Sequence, residues 1–265
     1  MIPFHPGVAF GVHSTCIEIS DGGDSSIFID MGSGVVPAVN TALNRGVRNF
    51  LVLMTHLHSD HLNGVFGCAA FYREDCSLDI LSTRADTEKA FRTLFASPFH
   101  PVDFDDLLAT IRFIELPKHG TREISDPQVS VSWAQVPHPQ GCTAYRFDDG
   151  ENALVFATDI ELGKTEFTDG IKMLLATPKP AGLAVIDGFY APEEIGSFAN
   201  WGHSTWKEAL DIAAETGVPN VVITHHHPGK TDAELEALAD RGKPAVWARE
   251  RQVWTLSGNK ATKAQ

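Results

Sequence analysis

A chain of 265 residues with 34 acidic against 21 basic side chains carries a formal charge of −13. That balance disfavours a polyanion or an anionic membrane as the main partner, and it argues most strongly against long nucleic acid, whose affinity rests on many Lys and Arg contacts. Four cysteines, Cys16, Cys68, Cys76 and Cys142, show neither Cys-x-x-Cys spacing nor the density of a disulfide scaffold, so they read as reduced and mostly buried thiols.

Met1–Pro6 has no basic segment followed by a long apolar one, and no run reaches about 18 uninterrupted apolar residues. The chain therefore reads as soluble, cytoplasmic and a single domain over 1–265, with residues 257–265 a polar tail that frays. In order, Cys16–Ile19 and Ile27–Asp30 read as a hairpin across Asp21-Gly22-Gly23-Asp24. A short helix from Pro37 to Asn44 stops before Gly46, and Phe50–Met54 is the next strand. Phe66–Tyr72 reads as helix, Leu78–Leu81 as strand and Ala85–Phe95 as an amphipathic helix. Pro98 and Pro101 forbid its continuation, so a rim loop, a short helix at Phe104–Leu108 and a strand at Ile111–Leu116 follow. Strands are expected at Val129–Trp133, Thr143–Phe147 and Ala153–Phe156, the last two joined through Asp148-Asp149-Gly150. Leu183–Ile186 and Val221–Thr224 are core strands. Thr205 with Glu208 forms a capping box that starts a helix over Trp206–Thr216. A polar-faced helix at Asp232–Asp240 and a strand within Val246–Leu256 complete the chain, and the five tryptophans read as core residues.

One stretch organises these elements. Thr55-His56-Leu57-His58-Ser59-Asp60-His61 follows the apolar strand Phe50–Met54 and concentrates metal-binding side chains in a single loop. Imidazoles at i and i+2 leave an extended segment on one side and can clamp one ion, while Asp60 and His61 turn away towards a second. Imidazole with carboxylate suits zinc and nearly as well manganese or iron(II). Further candidates sit at strand ends: Asp30, read as a brace for the ligand loop, His138 between two prolines, Asp159, Asp187 and the cluster His225-His226-His227. His203 stands just before a helix N-terminus, where it either caps or acts chemically. His100 and His119 read as rim or surface residues.

The pattern His56-x-His58-x-Asp60-His61 with later His138, Asp159 and His225 resembles the ligand set of the metallo-β-lactamase-fold hydrolases. Gly202-His203-Ser204-Thr205 is similar to a motif of the phosphodiesterase branch, which includes tRNase Z and the cyclic-phosphate phosphodiesterases. The resemblance implies a four-layer αββα sandwich, two mixed β-sheets flanked by helices, with two divalent ions at one edge. It assigns His56, His58 and His138 to the first ion, Asp60, His61 and His225 to the second, and Asp159 to both. Two departures stand out: His225-His226-His227-Pro228 replaces the usual His-His-Asp-Pro, leaving open which histidine ligates, and Val12-His13-Ser14-Thr15 replaces a Gly-Gly-Asn-Thr type turn.

The activity so implied is phosphodiester hydrolysis of a small, possibly cyclic, nucleotide or ribose phosphate by a hydroxide bridging two ions, most readily zinc. Asp60 would orient that hydroxide and His203, held by Asp187, would protonate the departing alkoxide. A thioester or lactone hydrolase keeps the ions but gives the His203 motif no purpose; a metal-containing binding or sensor module, which would retain a nucleotide without turnover, is disfavoured because all seven expected ligand positions are filled. The chain lacks the long basic, glycine-rich arm that tRNase Z uses to grip tRNA, which favours small molecules; a homodimer is compatible with this reading.

Overall fold

The computed structural model describes residues 9–125, 127–163, 168–198 and 200–264, so the expectation for Met1–Pro6 lies outside the described residues. Two compact units emerge, one formed chiefly by His13–Pro117 and the other by Lys118–Ile124 with the chain from Gln128 onward.

In the first unit, β1 (Ile17–Ile19) turns back antiparallel on β2 (Ser25–Ile29), as the alternation and Gly/Asp punctuation require. Beyond it β3 (Asn49–Leu53), β4 (Ser77–Ser82) and β5 (Thr110–Glu115) add in parallel, giving one mixed five-stranded sheet in the order β1 to β5. Two helices, α1 (Val35–Asn44) and α2 (Thr87–Leu94), supply the connections that parallel strands need. Val35, Val39 and Ala42 of α1 share an apolar cluster with Phe28, Val52 and Ile80 of the sheet and with Phe71 and Phe91. Each valine, isoleucine or phenylalanine among them contributes roughly 1.5–3 kcal/mol when fully buried. Cys68 and Cys76 join the same cluster, and burial pushes the Cys68 thiol up to about 12, consistent with an inert reduced cysteine.

The second unit holds a seven-stranded mixed sheet built from β6 (His119–Ser125), β7 (Gln128–Val136), β8 (Cys142–Asp148), β9 (Ala153–Ala157), β10 (Leu183–Asp187), β11 (Val221–Thr224) and β12 (Val246–Trp247), in the order β12 down to β6. From β9 to β12 the pairing is parallel, and β7, β8 and β9 pair antiparallel. Helix α3 (Thr168–Ala176) packs on β7 and β8, and α4 (Trp206–Thr216) packs on β10 and β11. Arg146 of β8 is only 2 % exposed, yet its guanidinium donates to the Leu174 carbonyl of α3 and to Asp148, so the charge is paired and a helix end is satisfied together. A last helix, α5 (Asp232–Arg241), is one residue longer than its pattern suggests.

Several expectations need correction. Phe66–Tyr72 forms two 3-10 turns, Val65–Gly67 and Ala69–Tyr72, and the helix at Phe104–Leu108 is a single 3-10 turn over Phe104–Asp106. Strand β6 carries no periodic signal, whereas α3, absent from the expectations, has Ile171, Leu174 and Leu175 at i, i+3 and i+4, all buried. The polar tail does not fray: β13 (Trp254–Ser257) and β14 (Lys260–Lys263) pair antiparallel across Gly258-Asn259, and the Asn259 side chain accepts the Ala153 N–H. Trp133, Trp206 and Trp247 are core residues, whereas Trp254 is half-buried and Trp201 is 63 % exposed. His100 is half-buried against Phe66 and Phe95, while His119 is exposed at the start of β6. Among the described residues no helix is long and apolar enough to cross a membrane.

Both capping boxes are complete: Thr205 with Glu208 starts α4, and Thr231 with Glu234 starts α5. Replacing Thr205 by Ala strips α4 of its cap, and a loss of about 1 kcal/mol is expected, read as a lowered denaturant midpoint at unchanged slope.

Candidate metal centre

In the first unit the ligand loop hangs on one buried carboxylate. Asp30 stands where β2 ends, with a left-handed backbone (φ 61°). That conformation costs a non-glycine residue about 1 kcal/mol or more. Three hydrogen bonds offset it: Thr55 N–H donates to Oδ1 at 2.7 Å, while Thr55 Oγ1–H and His61 Nδ1–H each donate to Oδ2 at 2.7 Å. His61 thus keeps Nε2 as its lone-pair nitrogen, the form in which imidazole binds metals. Its Nε2 lies 3.4 Å from an Asp60 carboxylate oxygen. Buried His56 places its ring centre 4.3 Å from that of His58 and 4.2 Å from that of His61. A 3-10 turn over Ser59–His61 breaks the strand's alternation, so His56, His58, Asp60 and His61 cluster instead of diverging. Glycine is obligatory under this loop, since a Cβ on Gly64 would meet the Gly32 carbonyl oxygen at 2.1 Å and one on Gly32 would meet that of Asp60 at 2.4 Å.

The second unit repeats the device with Asp187 at the end of β10. Oδ2 accepts Asp159 N–H and His203 Nδ1–H, both at 2.9 Å, and Oδ1 accepts Phe189 N–H at 3.0 Å and Ser204 N–H at 3.3 Å. Asp159, after β9, and His225, after β11, again have left-handed backbones (φ 57° and 58°). Around Asp159 lie His138 Nε2 at 3.7 Å, His225 Nε2 at 3.4 Å and His203 Nδ1 at 3.9 Å. His138 is fixed by donating Nδ1–H to the Gly202 carbonyl at 2.8 Å. The His203 ring lies flat against Phe189, with ring centres 4.3 Å apart at 12°.

The histidine cluster is resolved by direction. His225 faces Asp159, whereas His226 donates Nε2–H to the Ala248 carbonyl at 2.9 Å and packs edge-on against Phe10. Burial holds the His226 pKa below its ordinary value. His227 accepts the Gly229 N–H at Nδ1 and packs its ring against Phe189, with centres 4.8 Å apart. Phe189 is the residue that sequence reasoning missed; a phenylalanine after Asp187-Gly188 carries no signal of a histidine stacked on it.

These donors suit a divalent cation of zinc, manganese or iron type. Neutral imidazoles and carboxylates are the ligands such ions take, and His61 and His138 each commit Nδ1–H to an oxygen acceptor, which frees Nε2 and fixes the ring. The first unit gathers His56, His58, Asp60 and His61; the second gathers His138, Asp159, His203 and His225, and within it possible ligand atoms of Asp159, His203 and His225 lie within 4.8 Å of one another.

Comparison with known proteins agrees. Residues 30–226 match the model of the beta-lactamase superfamily domain. Ribonuclease Z of Lactiplantibacillus plantarum is 22 % identical over 284 aligned positions, covering 89 % of each chain. Among solved structures, the metallo-beta-lactamase fold protein YhfI from Bacillus subtilis superposes with a TM-score of 0.64 at 17 % identity, covering 89 % of this chain and 90 % of that one. A diphosphatase from the PhnP family gives 0.60 at 16 % identity, covering 89 % and 81 %. The expected fold class is thereby borne out.

Because every neighbour of the Asp30 carboxylate is a donor, Asp30→Asn sets an amide N–H₂ against one of them. Affinity for an added divalent ion is expected to fall about 10- to 100-fold, measured by competition with a chromogenic chelator on folded protein.

Proposed function

This chain belongs to the beta-lactamase superfamily, and from that premise we propose that it is a phosphodiesterase that holds two divalent ions and cleaves a small nucleotide or ribose phosphate, cyclic forms included. Zinc is the first choice of ion, with manganese or iron as alternatives. His56, His58 and His138 would hold one ion, Asp60, His61 and His225 the other, with Asp159 shared between them. When bound, the ions would supply positive charge for the phosphoryl oxygens and lower the pKa of water towards neutrality.

The remaining work falls to the chain's own side chains. Asp60, the most solvent-accessible of the acidic candidates, accepts a hydrogen bond from the attacking water and so sets its orientation. His203 gives its Nε2 proton to the alkoxide that leaves, while Asp187 accepts from Nδ1 and Phe189 keeps the ring flat. The observation that supports this reading is the Asp187–His203 pair at 2.9 Å, standing 3.9 Å from Asp159. Thioesters expel a thiolate, which needs far less help from a proton donor than an alkoxide does, so they would give the pair no purpose. The relatives named ribonuclease Z and diphosphatase act on phosphate linkages, which supports the same bond class. A charge of −13 favours the smaller substrate over tRNA.

Metal analysis coupled to hydrolysis of bis-p-nitrophenyl phosphate tests the reading. About two ions per chain are expected, with activity lost on chelation and restored by zinc or manganese; turnover of a chromogenic lactone alone would overturn it. On a phosphodiester whose leaving group is an unactivated alkoxide, His203→Ala is expected to lower kcat by about 10²- to 10⁴-fold with metal content unchanged, and full activity of that variant on such a substrate would remove His203 as the proton donor.

A further inference from the structure

Trp201 is a large apolar side chain left 63 % exposed, and the structure anchors it beside the candidate catalytic groups. The next residue, Gly202 (φ 89°), accepts His138 Nδ1–H on its carbonyl, and a Cβ there would fall 2.3 Å from the same imidazole, so chain and ligand candidate are locked together. Trp201 N–H donates to the Phe198 carbonyl at 3.2 Å. Asn200, left-handed at φ 70°, donates its N–H to Glu161 at 2.9 Å. The indole meets Phe198 edge-on with ring centres 5.7 Å apart, Phe198 stacks on Tyr190 at 4.9 Å, and Tyr190 lies 4.9 Å from Phe189, the ring that carries His203. A row of aromatic rings thus runs from His203 to an exposed indole.

We infer that Trp201 is the stacking platform for the nucleobase of the substrate, which makes the substrate a base-bearing phosphodiester in place of a simple sugar or alkyl phosphate. The inference rests on the phosphodiesterase reading and adds the organic half of the substrate to it. An exposed indole offers a flat π-face, and stacking accepts any base, because every base has such a face. A chain of net charge −13 gives an anionic substrate little general attraction, and an uncharged contact does not depend on it.

The holoenzyme, W201A and W201F are compared on two chromogenic esters with the same leaving group, thymidine 5′-(p-nitrophenyl phosphate) and methyl p-nitrophenyl phosphate. W201A is expected to cut the preference for the thymidine ester, read as the ratio of the two kcat/KM values, by about 10-fold through KM, with W201F restoring most of it. An unchanged ratio in W201A overturns the inference, whether both esters slow equally or neither slows. If the wild-type holoenzyme hydrolyses neither ester, the phosphodiesterase reading fails by itself. Calorimetric binding of thymidine 5′-monophosphate then decides the stacking: weakening of about 10-fold in W201A supports it, and equal affinity overturns it.

Discussion

A buried carboxylate at the end of a parallel strand, surrounded only by donors, is the constraint on which the rest of this structure depends. Asp30 does this after β2 and Asp187 after β10, both with no measurable exposure. Each removes a charge from water, which is tolerable only where several hydrogen bonds replace hydration. Those hydrogen bonds come from the backbone and imidazoles of the candidate site: Thr55 and His61 in one unit, Asp159, Phe189, His203 and Ser204 in the other. Satisfying the carboxylate and aiming the site are therefore one event.

The second recurrent device is backbone geometry. Asp30, Asp159 and His225 each adopt φ near 60° where a strand stops. A strand alone would send neighbouring side chains to opposite faces; a left-handed residue at its end resets that alternation. This is why His225 reaches Asp159 while His226 turns to the Ala248 carbonyl.

Much of this was legible in the sequence, and the limits have physical causes. The apolar runs of β2, β3 and β4, the hairpin of β1 and the Thr205–Glu208 box are local signals, and each appears as read; the loop His56–His61 is a local signal too, but its 3-10 turn is not. Strand β6 escaped because His119–Ser125 is mostly exposed and lacks an apolar face. The closing hairpin escaped for the same reason, although Gly258-Asn259, both left-handed, carried the turn signal that composition hid. The choice among His225, His226 and His227 depends on a single φ, and the stacking of Phe189 on His203 on the path between β10 and α4; no spacing rule encodes either. Trp201 read as core because large aromatics usually are.

Because Asp30 and Asp187 draw their partners from the protein, the chain's own N–H and O–H groups specify where the candidate ligands stand. A substitution at either carboxylate would therefore act twice, once on the strand end and once on the aim of the imidazoles, so that stability and site geometry are under one and the same selection at these two positions.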